Sequence, residues 1–303
     1  MEPSASEPPT RRQIDEAALA RQLRRLAAAP ESPWLHAEVA RRMGERLAIV
    51  KLRPDPILDW WAHLGASRAV LDAAYPKARQ TLVEPDPRLL ERSQAALARP
   101  WWSRWGGRRA EAVLQRDVAA GGTQLLWANM MLHAVADPQA QMAQWQRALA
   151  VDGFLMFSTL GPGSLAGLRS VYAAAGWAPP HAPFVDMHDL GDMLVQAGFA
   201  DPVMDQELVT LTWATPEALL DELRSLGGNA HPARLAGLRT PRWRQELARR
   251  LESLRGADGR LRLVFEVVYG HAFRPPPRPP LGGLTAVPLD DMRAMVRAGR
   301  RSR

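Results

Sequence analysis

Apolar positions along this chain recur with two different spacings, and the spacings take turns. Across 33–50, Trp34, Leu35, Val39, Met43, Leu47 and Val50 return every three or four residues, as on one face of a helix that Pro33 opens. An earlier Ala/Leu-rich stretch, 13–29, also reads as helix and is closed by Pro30. Pro54 and Pro56 then break the chain, and ILDWW (57–61) is a short apolar run compatible with a buried strand. Further strands are predicted at 78–84, 110–115, 124–128, 153–160, 203–213 and 260–273. Helices are predicted between them at 65–75, from Pro87 to Ala98, and at 137–149, 164–175, 187–197, 216–226 and 241–255. Asp137-Pro138 supplies an N-cap followed by proline in the first turn. Strands alternating with helices predict α/β layers around a mostly parallel sheet, with the last two strands able to pair antiparallel at an edge.

Composition narrows the class. The 303 residues suffice for one domain with insertions, and the absence of cysteine excludes disulfides, iron–sulfur clusters and a thiol nucleophile. Lys+Arg is 39 against 32 acidic residues, a net charge of +7. Only Lys51 and Lys77 are lysines; the arginines are scattered rather than gathered into a stripe, and no reader motif accompanies them. That distribution argues against a nucleic-acid partner. No zinc-ligand pattern stands out, so no metal is expected. No apolar run is long enough for a membrane span, and residues 1–10 lack an h-region, so a cytoplasmic location is the expectation. Past Phe273, RPPPRPPLGG reads as an extended linker, 288–299 as a short amphipathic helix, and the basic end as a tail.

In an open α/β sheet, ligands gather outside the C-terminal ends of the strands. Asp59, Glu84, Asp117, Asn129 and Ser158 all fall at such ends. Glu84 can accept both hydroxyl hydrogens of a ribose, or stand as a cap-like acid before the helix that follows. Asp117 can meet a purine amino group or lie in a surface turn. Asn129 can fix backbone loops at the sheet edge. His133 either lines a substrate pocket or packs locally.

The segment LLWANMMLHAVADPQAQMAQWQRALAVDGFLMFSTLGPGSL (125–165) resembles the fourth and fifth strands of class I S-adenosylmethionine-dependent methyltransferases. With FVDMHDLGDMLVQAGFADPVMD (184–205), FEVVYGHAF (265–273) and VARRMGERLAIVKLRPDPILD (39–59), the chain resembles more narrowly the malonyl-[acyl-carrier-protein] O-methyltransferase family of biotin synthesis. The resemblance runs from about residue 35 to 274. It implies a Rossmann-like, seven-stranded mixed sheet with helices on both faces. The transferase domain would span 33–273, with helical insertions around 164–197 and 216–256, an extension at 1–32 and a tail at 274–303.

It also implies S-adenosylmethionine as cofactor, held by Asp59, Gly65, Glu84, Asp117 and Asn129; His133 and Ser158 are candidates toward the substrate, and Arg169 either positions the substrate carboxylate or is a solvated helix-face arginine. The family's glycine-rich loop departs from its pattern here. Gly65 stands where the last glycine belongs, but Trp61 and His63 occupy the earlier glycine positions. Upstream, Ala29 and Pro30 replace the family's Tyr-Asp. Two readings stay open at this point. One is an active O-methyltransferase acting on malonyl-acyl-carrier protein, an acidic partner that a basic surface would attract. The other is a fold-retaining relative with lost or weak cofactor binding that serves as a partner or scaffold. The acceptor carboxylate is already ionised near neutrality, so no catalytic base is assigned.

Overall fold

The computed structural model describes residues 12–98, 110–235 and 237–277. The helix expected over 288–299 and the basic tail lie outside the described residues. Helices α1 (Glu16–Ala28) and α2 (Trp34–Arg46) precede strand β1 (Ile57–Trp60). Then come α3 (Ala62–Gly65), α4 (Arg68–Ala74), β2 (Gln80–Glu84), α5 (Pro87–Leu97), β3 (Ala110–Leu114), β4 (Thr123–Ala128) and α6 (Pro138–Ala148). Strand β5 (Leu149–Leu160) leads to α7 (Ala166–Ala174), α8 (Met187–Gln196) and β6 (Ala200–Trp213). The described chain closes with α9 (Pro216–Ser225), α10 (Pro241–Leu251) and β7 (Leu261–Phe273).

The strands form one seven-stranded sheet in the order β3-β2-β1-β4-β5-β7-β6. Strand β1 lies parallel to both β2 and β4, whereas β7 runs antiparallel to β5 and β6. The strand order reverses between β1 and β4, and a crevice opens at such a switch point. Alternate residues of each central strand feed separate cores. Ile57, Leu125, Trp127 and Phe154 pack with α2, α4, α7, α9 and α10 on one face. Leu58, Trp60, Leu126 and Phe157 pack with α1, α5, α6 and α8 on the other. Several helices start where the sequence places a cap: Asp86, Asp137, Thr215 and Thr240 each accept a first-turn N–H, with proline following.

Three of the boundaries that differ from the sequence expectation have a clear local reason. The strand expected through 61 stops at Trp60, because Trp61 turns into the left-handed region. The single helix expected over 65–75 is two pieces, broken at Ala66, which is also left-handed. Strand β5 begins at Leu149, not 153, because Leu149 already pairs with Thr123 across a register irregularity.

Gly270 shows how tightly the antiparallel edge is packed. It sits opposite Phe157, and a Cβ built on it would fall 2.0 Å from the ring. Gly270→Ala should therefore destabilise by about 1–3 kcal/mol through overpacking. Adding Phe157→Leu should recover part of the loss. Urea unfolding of the two variants checks this; a single variant as stable as the parent would contradict it.

Candidate functional site

The residues at the switch point fold into a closed knot. After Trp60 the backbone of Trp61 takes φ 57° and ψ 46°. Its N–H donates to the Val83 carbonyl at 2.7 Å, and its own carbonyl accepts the Gly65 N–H at 2.8 Å. The left-handed region favours glycine, and a tryptophan there is strained. Just before it, Asp59 is wholly buried, and neither carboxylate oxygen has a hydrogen-bond partner. Burial, reinforced by the neighbouring Glu84 charge, raises its pKa well above the usual carboxylate range.

Glu84 is also wholly buried. Its Oε1 accepts the His63 N–H at 2.8 Å and the Ser93 hydroxyl at 2.5 Å, while Oε2 has no partner. Burial pushes its carboxyl up to about 7, against the lowering pull of those two hydrogen bonds. Asp86, not Glu84, caps the helix α5.

The other expected residues separate into two groups. Asn129 and Ser158 form a brace. The Asn129 amide donates to Gly65 O at 2.6 Å and to His36 O at 2.8 Å, and accepts from Ser158 Oγ at 2.6 Å. Ser158 Oγ in turn accepts the Met130 N–H. Gly65 suits this close approach, since a Cβ there would meet Ser67 Oγ at 3.3 Å. Asp117 and Arg169 are not brought to the same place. Asp117 is exposed beside Arg116. Arg169 donates to the Ser164 carbonyl and reaches within 3.5 Å of His181 Nε2.

Two residues that the sequence reading passed over matter more. Gln115, directly after β3, accepts the Trp61 indole N–H at 3.3 Å, and its own amide is fixed by Gln141 and Gln144. The strand-end rule that picked Asp117 picks Gln115 equally well, because β3 ends at Leu114. Ser93 carries no signal of its own; only the fold turns it toward Glu84.

Beside the knot lies a cavity of about 550 Å³. His133 is on its wall, with Trp61, His36, Met130, Leu160 and Phe184. His133 is half-buried, its Nδ1 is buried and unpartnered, and desolvation holds its pKa well below that of free histidine. His36 Nδ1 donates to the Leu64 carbonyl at 2.8 Å, and burial lowers its pKa to about 4. No aspartate or glutamate is among the described residues lining the cavity, but Arg12, Arg25, Arg224 and Arg239 are. Arg12 is pinned by the carbonyls of His133, Val135 and Pro183, and burial lowers it to about 10. Arg25, Arg224 and Arg239 are exposed.

Tested against an adenosyl cofactor, the acids suit the group and the loop does not. Unpartnered carboxylate oxygens at the ends of β1 and β2 match ribose and ammonium donors. As folded, however, no solvent reaches either acid, neither lines the cavity, and Trp61 lies across the gap to Gln115.

No protein-family profile matches the chain. Curated relatives do. The malonyl-[acyl-carrier protein] O-methyltransferase of Laribacter hongkongensis is 38% identical over 251 residues, 81% of this chain and 84% of that protein. Its namesake in Gallionella capsiferriformans is 37% identical over 253 residues, 82% and 86% of the two chains. Among solved structures, a provisionally assigned methyltransferase from Bacillus halodurans superposes with a TM-score of 0.51 at 14% identity, covering 78% of this chain and 99% of that one. The [4+2]-cyclase SpnF does so with 0.51 at 14%, covering 89% and 100%, so the fold by itself leaves the reaction open. The sequence relatives are what decide: at this identity over four-fifths of its length, the chain belongs to the malonyl-[acyl-carrier protein] O-methyltransferase family.

Proposed function

We propose that this family member transfers the methyl group of S-adenosylmethionine to the free carboxylate of a malonyl thioester on an acyl carrier protein. The donor is assigned on family membership. What supports the acceptor is the cavity beside the switch point: largely apolar, free of carboxylates among its described lining residues, and rimmed by exposed guanidinium groups. An apolar interior excludes water from the reacting carboxylate, and a cationic rim draws in an acidic carrier. The carboxylate arrives ionised, so the enzyme's task is to hold it rather than deprotonate it.

His36 and His133, kept neutral by burial, bring no charge into the interior. Arg12 bonds the His133 carbonyl; its Nε is buried without a partner and offers the carboxylate a donor. This assigns to Arg12 the role expected of Arg169, which is not on the cavity wall. Residues 33–273 make the transferase domain in this reading, and α1 from the preceding extension closes one side of the acceptor cavity. The comparisons offer nothing for a non-catalytic scaffold; its one support is local, the closure at Trp61. No helix among the described residues is long and apolar enough to cross a membrane.

Transfer of labelled methyl from S-adenosylmethionine to malonyl-acyl-carrier protein tests the activity directly; no label in the carrier at saturating donor would sink it. Charge reversal at the rim, Arg224→Glu with Arg239→Glu, should raise KM for the carrier-bound substrate roughly tenfold and leave kcat nearly unchanged. A malonyl thioester of free pantetheine should not feel the change. Equal effects on both substrates would mean that the arginines do not meet the carrier.

The two buried acids make stability depend on pH. Each has a folded-state pKa above its unfolded value, so the folded chain keeps protons that the unfolded chain has released. For Glu84 stability is fullest at acid pH and falls as pH rises from the ordinary 4.5 through about 7. Glu84→Gln keeps the acceptor for His63 and Ser93 and removes the ionisation. Between about pH 5 and about pH 8 the parent should lose on the order of 1–3 kcal/mol relative to this variant. Denaturant midpoints at the two pH values measure the difference; parallel pH dependence would refute it.

A further inference from the structure

Trp61 is held from every side. Its backbone is fixed in the left-handed region by the bonds to Val83 and Gly65. Its indole is buried and clamped to Gln115, itself locked by two glutamines of α6. A strap between α1 and α2 then closes over the turn. Ser32 donates its hydroxyl to the His63 carbonyl, and Arg92 of α5 donates to Ala29 O at 2.7 Å and Pro30 O at 3.1 Å. Under this cover, Asp59 keeps two unpartnered oxygens and Glu84 one. A strained backbone, an occupied crevice and orphaned acceptors thus coincide at the sheet's switch point, where a nucleoside would be read by the acid ending β2.

We infer that the Trp61 indole is a built-in plug of the nucleoside half-site, so that a cofactor can reach Glu84 only when the indole leaves its clamp on Gln115. This rests on the proposed use of S-adenosylmethionine. The plug sets affinity: the ligand must break the indole's contacts before it reaches the unpartnered oxygens, and a protein only fractionally open binds more weakly by that fraction. Glycine at 61 removes the indole and accepts the left-handed backbone at no steric cost.

Calorimetric titration of the full chain with S-adenosylmethionine and with S-adenosylhomocysteine tests this without any turnover. Trp61→Gly should bind about tenfold more tightly than the parent, or more. Gln115→Leu, which frees the indole without altering the turn, should move affinity the same way by less, and serves if the glycine variant does not fold. Parent and variants binding equally tightly would overturn the plug and leave the cofactor reading standing. No binding at millimolar ligand by the parent, by either variant or by Trp61→Gly with His63→Gly would overturn the cofactor reading and the plug with it.

Discussion

The Asn129 side chain ties four parts of the molecule to one point. Sitting just past β4, it spends one amide hydrogen on the turn after β1, the other on α2, and its oxygen on Ser158 of β5. All three are buried, where an unmade hydrogen bond costs more than a made one gains. The strand order reverses between β1 and β4, so the brace spans the gap that parallel topology leaves open. Once it is in place the turn 61–65 has little freedom, and what that turn contains decides what the crevice can hold.

Most of the fold was legible because periodicity and punctuation agree. The run ending in Asp59, the Asp-Pro and Thr-Pro starts of α5, α6, α9 and α10, and the long alternating strand before Phe273 each carry their own signal. The boundaries at Trp61 and Ala66 differ where backbone conformation departs from residue type, and that of β5 where pairing across a register irregularity reaches back to Leu149. No propensity argument places a tryptophan in the left-handed region; packing and the bond to Val83 put it there. The site was half legible for a related reason. Strand ends can be counted from a sequence, which finds Asp59, Glu84 and Asn129. Which way a side chain turns cannot be counted: Asp117 is exposed beside Arg116, while Gln115, two residues earlier, bonds the Trp61 indole.

The basic composition resolves into two populations. Many arginines are tied to acids on their own helix, such as Arg41 and Arg42 with Glu38, or Arg249 and Arg250 with Glu246. Exposed pairs of this kind add little to stability and cancel much of the surface field. The arginines at the cavity mouth differ in having no carboxylate in the lining to answer them. A uniform excess of charge would attract any polyanion; a local one beside an apolar cavity favours a ligand with an anionic carrier and an uncharged arm.

Burying two carboxylates side by side without partners for three of their oxygens is costly in any fold, and so is a left-handed tryptophan. Either could be tolerated alone as an accident of packing. Their coincidence within one turn has a simpler cause. Asp59 and Glu84 are acceptors suited to a ligand with several donors, and the indole occupies the place from which such a ligand would reach them. Ser93 and the His63 N–H satisfy the fourth oxygen, Glu84 Oε1, so the deficit is three atoms rather than four, which lets the closed form persist. Removing the indole would relieve backbone strain and uncover the acids together, so closure is maintained by the surrounding clamp of Gln115, Gln141 and Gln144 rather than by the turn's own preference. A clamp built from neutral hydrogen bonds, each worth about 1 kcal/mol net, is weak enough for binding energy to open.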